Sequence, residues 1–120
     1  MSTAMREKAG SHVERFSEAL ERRDLSAMLS SYQDDAELKL ASCSATDHSP
    51  RVVLGKTDIA FWVSKLLAAH TCIEVVERLG KGAEMTLIIE CRRTDGTRLV
   101  VACTAVLVDG LISRQFVVLV

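Results

Sequence analysis

TRLVVACTAVLVDGLISRQFVVLV, Thr97 to Val120, is the stretch that decides the fold of this chain. Two apolar runs rich in β-branched residues flank Asp109-Gly110, and an Asp-Gly pair supplies the positive φ angles that a two-residue hairpin turn needs. A second Asp-Gly pair, Asp95-Gly96, joins the ribbon to an apolar run from Ala83 to Arg93. Gly80-Lys81-Gly82 separates that run from another, Cys72 to Leu79. Four consecutive antiparallel strands are therefore expected, and everything upstream must cover them.

Upstream, the period changes. Val13, Phe16, Ala19 and Leu20 fall on one face at helical spacing from about Ser11 to Glu21. Asp24 then reads as an N-cap for a second helix with the stripe Leu25, Met28, Leu29 and Tyr32. In AELKLAS, Ala36, Leu38 and Leu40 alternate with Glu37 and Lys39, the pattern of a strand with one solvated face. The segment Cys43 to Arg51 holds the only proline, Pro50, and reads as a loop. Gly55-Lys56-Thr57-Asp58 opens a third helix carrying Ile59, Trp62, Val63, Leu66 and Leu67 at i, i+3, i+4, i+7 and i+8, ending near His70-Thr71. The order is three helices around one short strand, then four strands, which is an α+β architecture. No linker or internal repeat divides residues 1–120, so a single domain is expected.

Composition narrows the function classes. Lys and Arg number 15 against 16 Asp and Glu, a net charge of -1, so no strong field favours nucleic acid or an anionic membrane. The start MSTAMREKAG lacks an apolar h-region, and no later run is long and uncharged enough to span a bilayer. A soluble, cytoplasmic protein is expected. Cys43, Cys72, Cys91 and Cys103 form no Cys-x-x-Cys pair and read as free thiols, with no metal and no cofactor implied. Hydrophobic residues make up 48% of the chain, enough that some are expected between subunits.

The run FSEALERRDLSAMLSSYQDDAEL, the loop ending in Gly55-Lys56-Thr57-Asp58-Ile59, then DGTRL and the closing VDGLI together resemble the nuclear-transport-factor-2-like superfamily. The likeness covers about Val13 to Leu119. It implies a cone-shaped α+β barrel, three N-terminal helices packed on a curved, mainly antiparallel sheet, commonly a homodimer, with a pocket between helices and sheet. Ketosteroid isomerases and SnoaL-type polyketide cyclases are its enzymatic branches. The isomerase branch places a tyrosine donor on the first helix, an aspartate base two residues past the match to Leu38, and a second acid on the penultimate strand. Those places correspond here to Phe16, Leu40 and either Thr104 or Ala102. Phenylalanine donates no hydrogen bond and leucine takes no proton, so isomerase chemistry by that mechanism is not expected. Tyr32 matches a tyrosine that supports the first-helix donor in that branch.

If both Asp-Gly pairs are two-residue turns, Arg92 pairs with Leu99, Ile89 with Ala102, Thr104 with Gln115 and Ala102 with Val117. One sheet face then carries Ile89, Ala102, Thr104, Gln115 and Val117. Small and neutral hydrogen-bonding groups amid aliphatics suit a pocket, so these residues, with Phe16, Tyr32, Leu40 and Trp62, are the expected ligand-binding set. The other face carries Glu90, Arg92, Val101, Cys103, Arg114 and Phe116, an apolar centre with a charged rim that suits a homodimer interface. Glu90 and Arg92 are spaced as in an acid-base site of the superfamily's epoxide-hydrolase branch, but on this face an interface ion pair is expected. For catalysis, Tyr32, Asp47 and His48 are the candidates, the last two as an acid-base pair in a loop that can reach a pocket mouth. His12 and His70, at helix ends, are expected to be solvated. The leading expectation is a dimeric small-molecule-binding or accessory domain with a small apolar ligand. The alternative is a SnoaL-like isomerase, cyclase or hydrolase.

Overall fold

The computed structural model describes residues 2–42 and 51–119, with side chains from His12 onward. Three helices, α1 (Ser2–Glu21), α2 (Leu25–Leu29) and α3 (Lys56–Ala69), pack on six strands, β1 (Tyr32–Ser42), β2 (Arg51–Leu54), β3 (Cys72–Lys81), β4 (Glu84–Arg92), β5 (Arg98–Val108) and β6 (Leu111–Leu119). The strands form one open sheet in the order β2-β1-β6-β5-β4-β3. All neighbours are antiparallel except β1 and β6, which run parallel. This is the expected α+β arrangement, with the sheet left open rather than closed into a barrel.

The helices begin and end where local chemistry dictates. α1 finishes in a Schellman-type turn: Asp24 N–H donates to Ala19 O at 2.8 Å and Arg23 N–H to Leu20 O at 3.1 Å. The turn puts Arg23 at φ 61°, a conformation usually given to glycine. What holds an arginine there is its guanidinium, which donates to Leu67 O and, at 3.1 Å, to Thr71 O at the end of α3. A cation on those free carbonyls also complements the negative end of the helix. One residue thus closes α1 and ties it to α3. Asp24 next caps α2, its carboxylate accepting from Ala27 N at 3.1 Å, as expected.

Several sequence expectations change. α1 begins at Ser2 rather than near Ser11, and Tyr32, placed on the second helix by spacing, is the first residue of β1. A second short strand, β2, follows the expected loop and pairs with β1, Leu38 opposite Val53. Its RVVL sequence is too short for a period to show. His70 is 3% exposed rather than solvated, with Nδ1 at 2.9 Å from Leu66 O. On β1, by contrast, Ala36, Leu38 and Leu40 are buried while Lys39 is exposed, as the alternation demands.

The hairpins carry the largest correction. At Asp95-Gly96 the loop holds three residues, not two: Arg93 N–H donates to Thr97 O at 3.0 Å, and Gly96 takes φ 86°. A third loop residue in the left-handed region adds a bulge. Arg92 therefore faces Arg98, and Ile89 faces Val101. At Asp109-Gly110 the expected two-residue turn forms, both residues having positive φ and Val108 facing Leu111. Ser113 is then bulged out, so that Val106 faces Arg114 and Thr104 faces Phe116. Each bulge moves the register by one and inverts β5 against a neighbour. The two cancel between β4 and β6. Only β5, with Ile112, therefore changes face: Val101, Cys103, Ala105 and Leu107 are buried, while Ala102 and Thr104 turn outward.

Arg23→Ala removes the inter-helix tie but keeps the strained turn, whereas Arg23→Gly removes both. Melting temperatures are expected to fall in the order wild type, Gly, Ala, with the alanine variant less stable by ~1–2 kcal/mol. Equal melting temperatures for all three would contradict the role given to the guanidinium.

Candidate functional site

The helices cover one face of the sheet, and between them and β4, β5 and β6 lies an interior cavity of about 30 Å3. α1 supplies Phe16 and Leu20, α2 supplies Met28, and α3 supplies Trp62, Val63 and Leu66. The sheet supplies Tyr32, Ile89, Val101, Cys103, Gln115 and Val117. The space is enough for a water or two and far below the ~300 Å3 at which drug-sized pockets begin.

Three neutral polar side chains meet at this cavity, and each answers another. The Tyr32 hydroxyl donates to Gln115 Oε1, and Gln115 Nε2 donates to Cys103 Sγ at 2.8 Å. Phe16 meets the Tyr32 ring edge-on, with centroids 6.0 Å apart and planes at 69°. Burial pushes the Tyr32 phenol well above its ordinary range, and the neighbouring Cys103 adds to the rise. Burial likewise lifts the Cys103 thiol from 9.0 to about 11, against the hydrogen bond donated by Gln115. Both groups are neutral near pH 7, so the chain has donors and acceptors but no charge.

Of the expected ligand-binding residues, Phe16, Tyr32, Trp62, Ile89, Gln115 and Val117 line the cavity together. Ala102 and Thr104 do not. The bulges turn them to the outer face, where Thr104 instead borders a shallow groove with Arg114 and Phe116. Leu40 is buried in β1, opposite Val117, but does not line the cavity. Of the catalytic candidates, Tyr32 is in place as a hydrogen-bond donor to an amide oxygen, while Asp47 and His48 lie outside the described residues. Sequence reasoning missed Leu20, Met28, Val63, Leu66, Val101 and Cys103 as lining residues. Cys103 and Val101 follow from the register, but Met28 was legible in the helical stripe.

Elsewhere, a wider surface groove of about 500 Å3 lies between α1, α2 and the β5–β6 turn. It is bordered by charges of both signs, including Arg15, Glu18, Arg22, Asp24 and Asp109, and is open to solvent. Among the described residues no cluster of three His, Cys, Asp or Glu side chains could hold a metal, and Cys72, Cys91 and Cys103 are free thiols. Cys43 lies outside the described residues. No described helix is long and apolar enough to cross a membrane. On the outer face Glu90 accepts from Arg92 Nη2 at 2.9 Å and Arg98 Nη1 at 3.3 Å, and the arginines hold its carboxyl below the usual range.

No family model matches this sequence, and no curated protein matches it. Solved structures do. A nuclear-transport-factor-2-like protein of unknown function from Mesorhizobium loti superposes with a TM-score of 0.79 at 16% identity, over 96% of this chain and 93% of that one. A candidate ketosteroid isomerase from Kribbella flavida gives 0.73 at 16%, over 95% and 78%. A candidate polyketide cyclase from Xanthomonas campestris gives 0.73 at 16%, over 94% and 90%. The chain therefore has the nuclear-transport-factor-2-like fold. Neighbours this distant, with such different descriptions, carry no common activity.

The neutral thiol makes a pH prediction. A folded-state pKa of about 11 against an ordinary 9.0 means that the folded chain holds its proton where the unfolded chain has lost it. Stability is full below about pH 9 and falls as pH rises towards 11, on the order of 3 kcal/mol from this group. Chemical denaturation of wild type and Cys103→Ala across that range should show the decline reduced in the variant. Parallel profiles would contradict a buried neutral thiol.

Proposed function

We propose that this chain is a dimeric small-molecule-binding or accessory domain whose interior takes a small, neutral, largely apolar molecule. The observation that carries this reading is the closed hydrogen-bond chain Tyr32–Gln115–Cys103 in an otherwise apolar wall. No carboxylate or imidazole among the described residues lines the cavity. A proton-transfer catalyst needs a group that changes charge near working pH, and the described wall offers hydrogen bonding instead. Phe16 and Leu40, buried where the isomerase branch has a donor and a base, point the same way.

The outer face supports the dimeric part. Val100, Val108 and Phe116 are exposed there, and Glu90 with its two arginines stands at the edge. An apolar centre with a charged rim is the anatomy of a protein interface, and a second copy brings the same patch.

Two measurements separate the halves. Mass spectrometry of natively purified protein is expected to release a neutral, mostly apolar small molecule, and a strongly charged one would contradict the interior reading. Phe116→Glu puts a charge at the centre of the outer patch and is expected to elute as monomer on sizing chromatography. An unchanged elution volume would sink the proposed interface.

A further inference from the structure

The cavity is nearly full as its side chains stand, so a ligand enters only if one of them moves. Among its described lining residues, Trp62 and Leu66 alone are partly exposed; the rest are buried. Trp62 also borders a second space, a surface groove of about 250 Å3 formed with Arg51, Val52, Val53, Asp58, Phe61 and Lys65. The indole therefore stands between the interior and the surface, with room on its outer side. Among the described residues nothing accepts from its N–H, so turning it breaks no hydrogen bond to them.

We propose that Trp62 is the door of the interior cavity and the residue that sets the size of its ligand, a neutral, planar molecule of one or two rings. This rests on the reading of the chain as a small-molecule-binding domain. Swung outward, the indole lies over Val52 and Phe61, both now exposed, and leaves its own volume behind. An apolar cavity of ~150 Å3 takes benzene. The space vacated by an indole, joined to the existing cavity, is of that order, and a fused skeleton of three or more rings has no place in it. Charge is disfavoured as well, because the walls are aliphatic and aromatic and the polar groups already answer one another. Because the space is too small for a ring in the ground state, apparent affinity is lowered by the small fraction of molecules in which the indole has turned.

Trp62 is the only tryptophan in the chain, so its indole N–H gives a single resonance in a 15N-correlated spectrum. Toluene added to the full-length wild-type protein is expected to shift or broaden that resonance saturably. Trp62→Ala, with the door removed, should bind toluene at least ~tenfold more tightly and associate faster. Trp62→Phe, a smaller change that preserves aromatic packing, should fall between them and serves if the alanine variant does not fold. If wild type and the folded variants bind toluene with equal affinity and rate, and the indole resonance stays fixed, Trp62 is not the door, while the binding reading survives. If a folded variant binds no toluene at all, there is no usable interior site, and both fail.

Discussion

The face that β5 turns to the helices is the constraint on which the interior depends. A strand has a period of two, so one residue of slip exchanges every side chain between core and surface. Two local features set the slip here. Gly96 makes a three-residue loop on one side of β5, and the bulge at Ser113 shifts the other. Together they place Val101, Cys103, Ala105 and Leu107 inside and leave β4 and β6 as the alternation of each would have them. A bulge at either hairpin alone would set β4 and β6 at odds, with one burying its polar face.

With Cys103 inside, Gln115 has a partner on each end. A buried amide without partners costs on the order of 1–3 kcal/mol per orphaned group, and Gln115 is 6% exposed. Tyr32 satisfies its oxygen and Cys103 its nitrogen. Had Thr104 faced inward, Cys103 would have lain on the outer surface and the amide would have needed another acceptor. The register and the hydrogen-bond chain therefore support one another, and together they give the cavity a neutral lining. That neutrality separates this interior from an acid-base site built on the same fold. The same sheet inversion leaves Ala102 and Thr104 on the outer face beside Phe116.

Much of this was legible in the sequence. The α+β order, the Asp24 cap, the third helix from Gly55 and the alternation in β1 all follow from local propensity and period, and the likeness to the nuclear-transport-factor-2-like fold follows from several short signatures in order. Phe16 and Trp62 were placed correctly by helical stripes, Tyr32 by the family likeness, and Ile89, Gln115 and Val117 because the two register slips cancel between β4 and β6. Ala102 and Thr104 were not, because β5 is apolar on both faces and has no pattern of its own. Its orientation came from counting residues around turns, and a bulge is invisible to counting. β2 was hidden for a related reason: four residues at a sheet edge are too few to show a period. His70 looked solvated because it ends a helix, yet packing buries it.

The claim that most needs direct measurement is that Cys103, and not Thr104, faces the helices. Cross-strand backbone NOEs in the labelled protein report this without disturbing it. The account predicts that Thr104 shows its facing contacts to Phe116 on β6 and to Thr86 on β4. Facing contacts from Thr104 to Gln115 would contradict it, and the neutral hydrogen-bond chain inferred from that register would go with it.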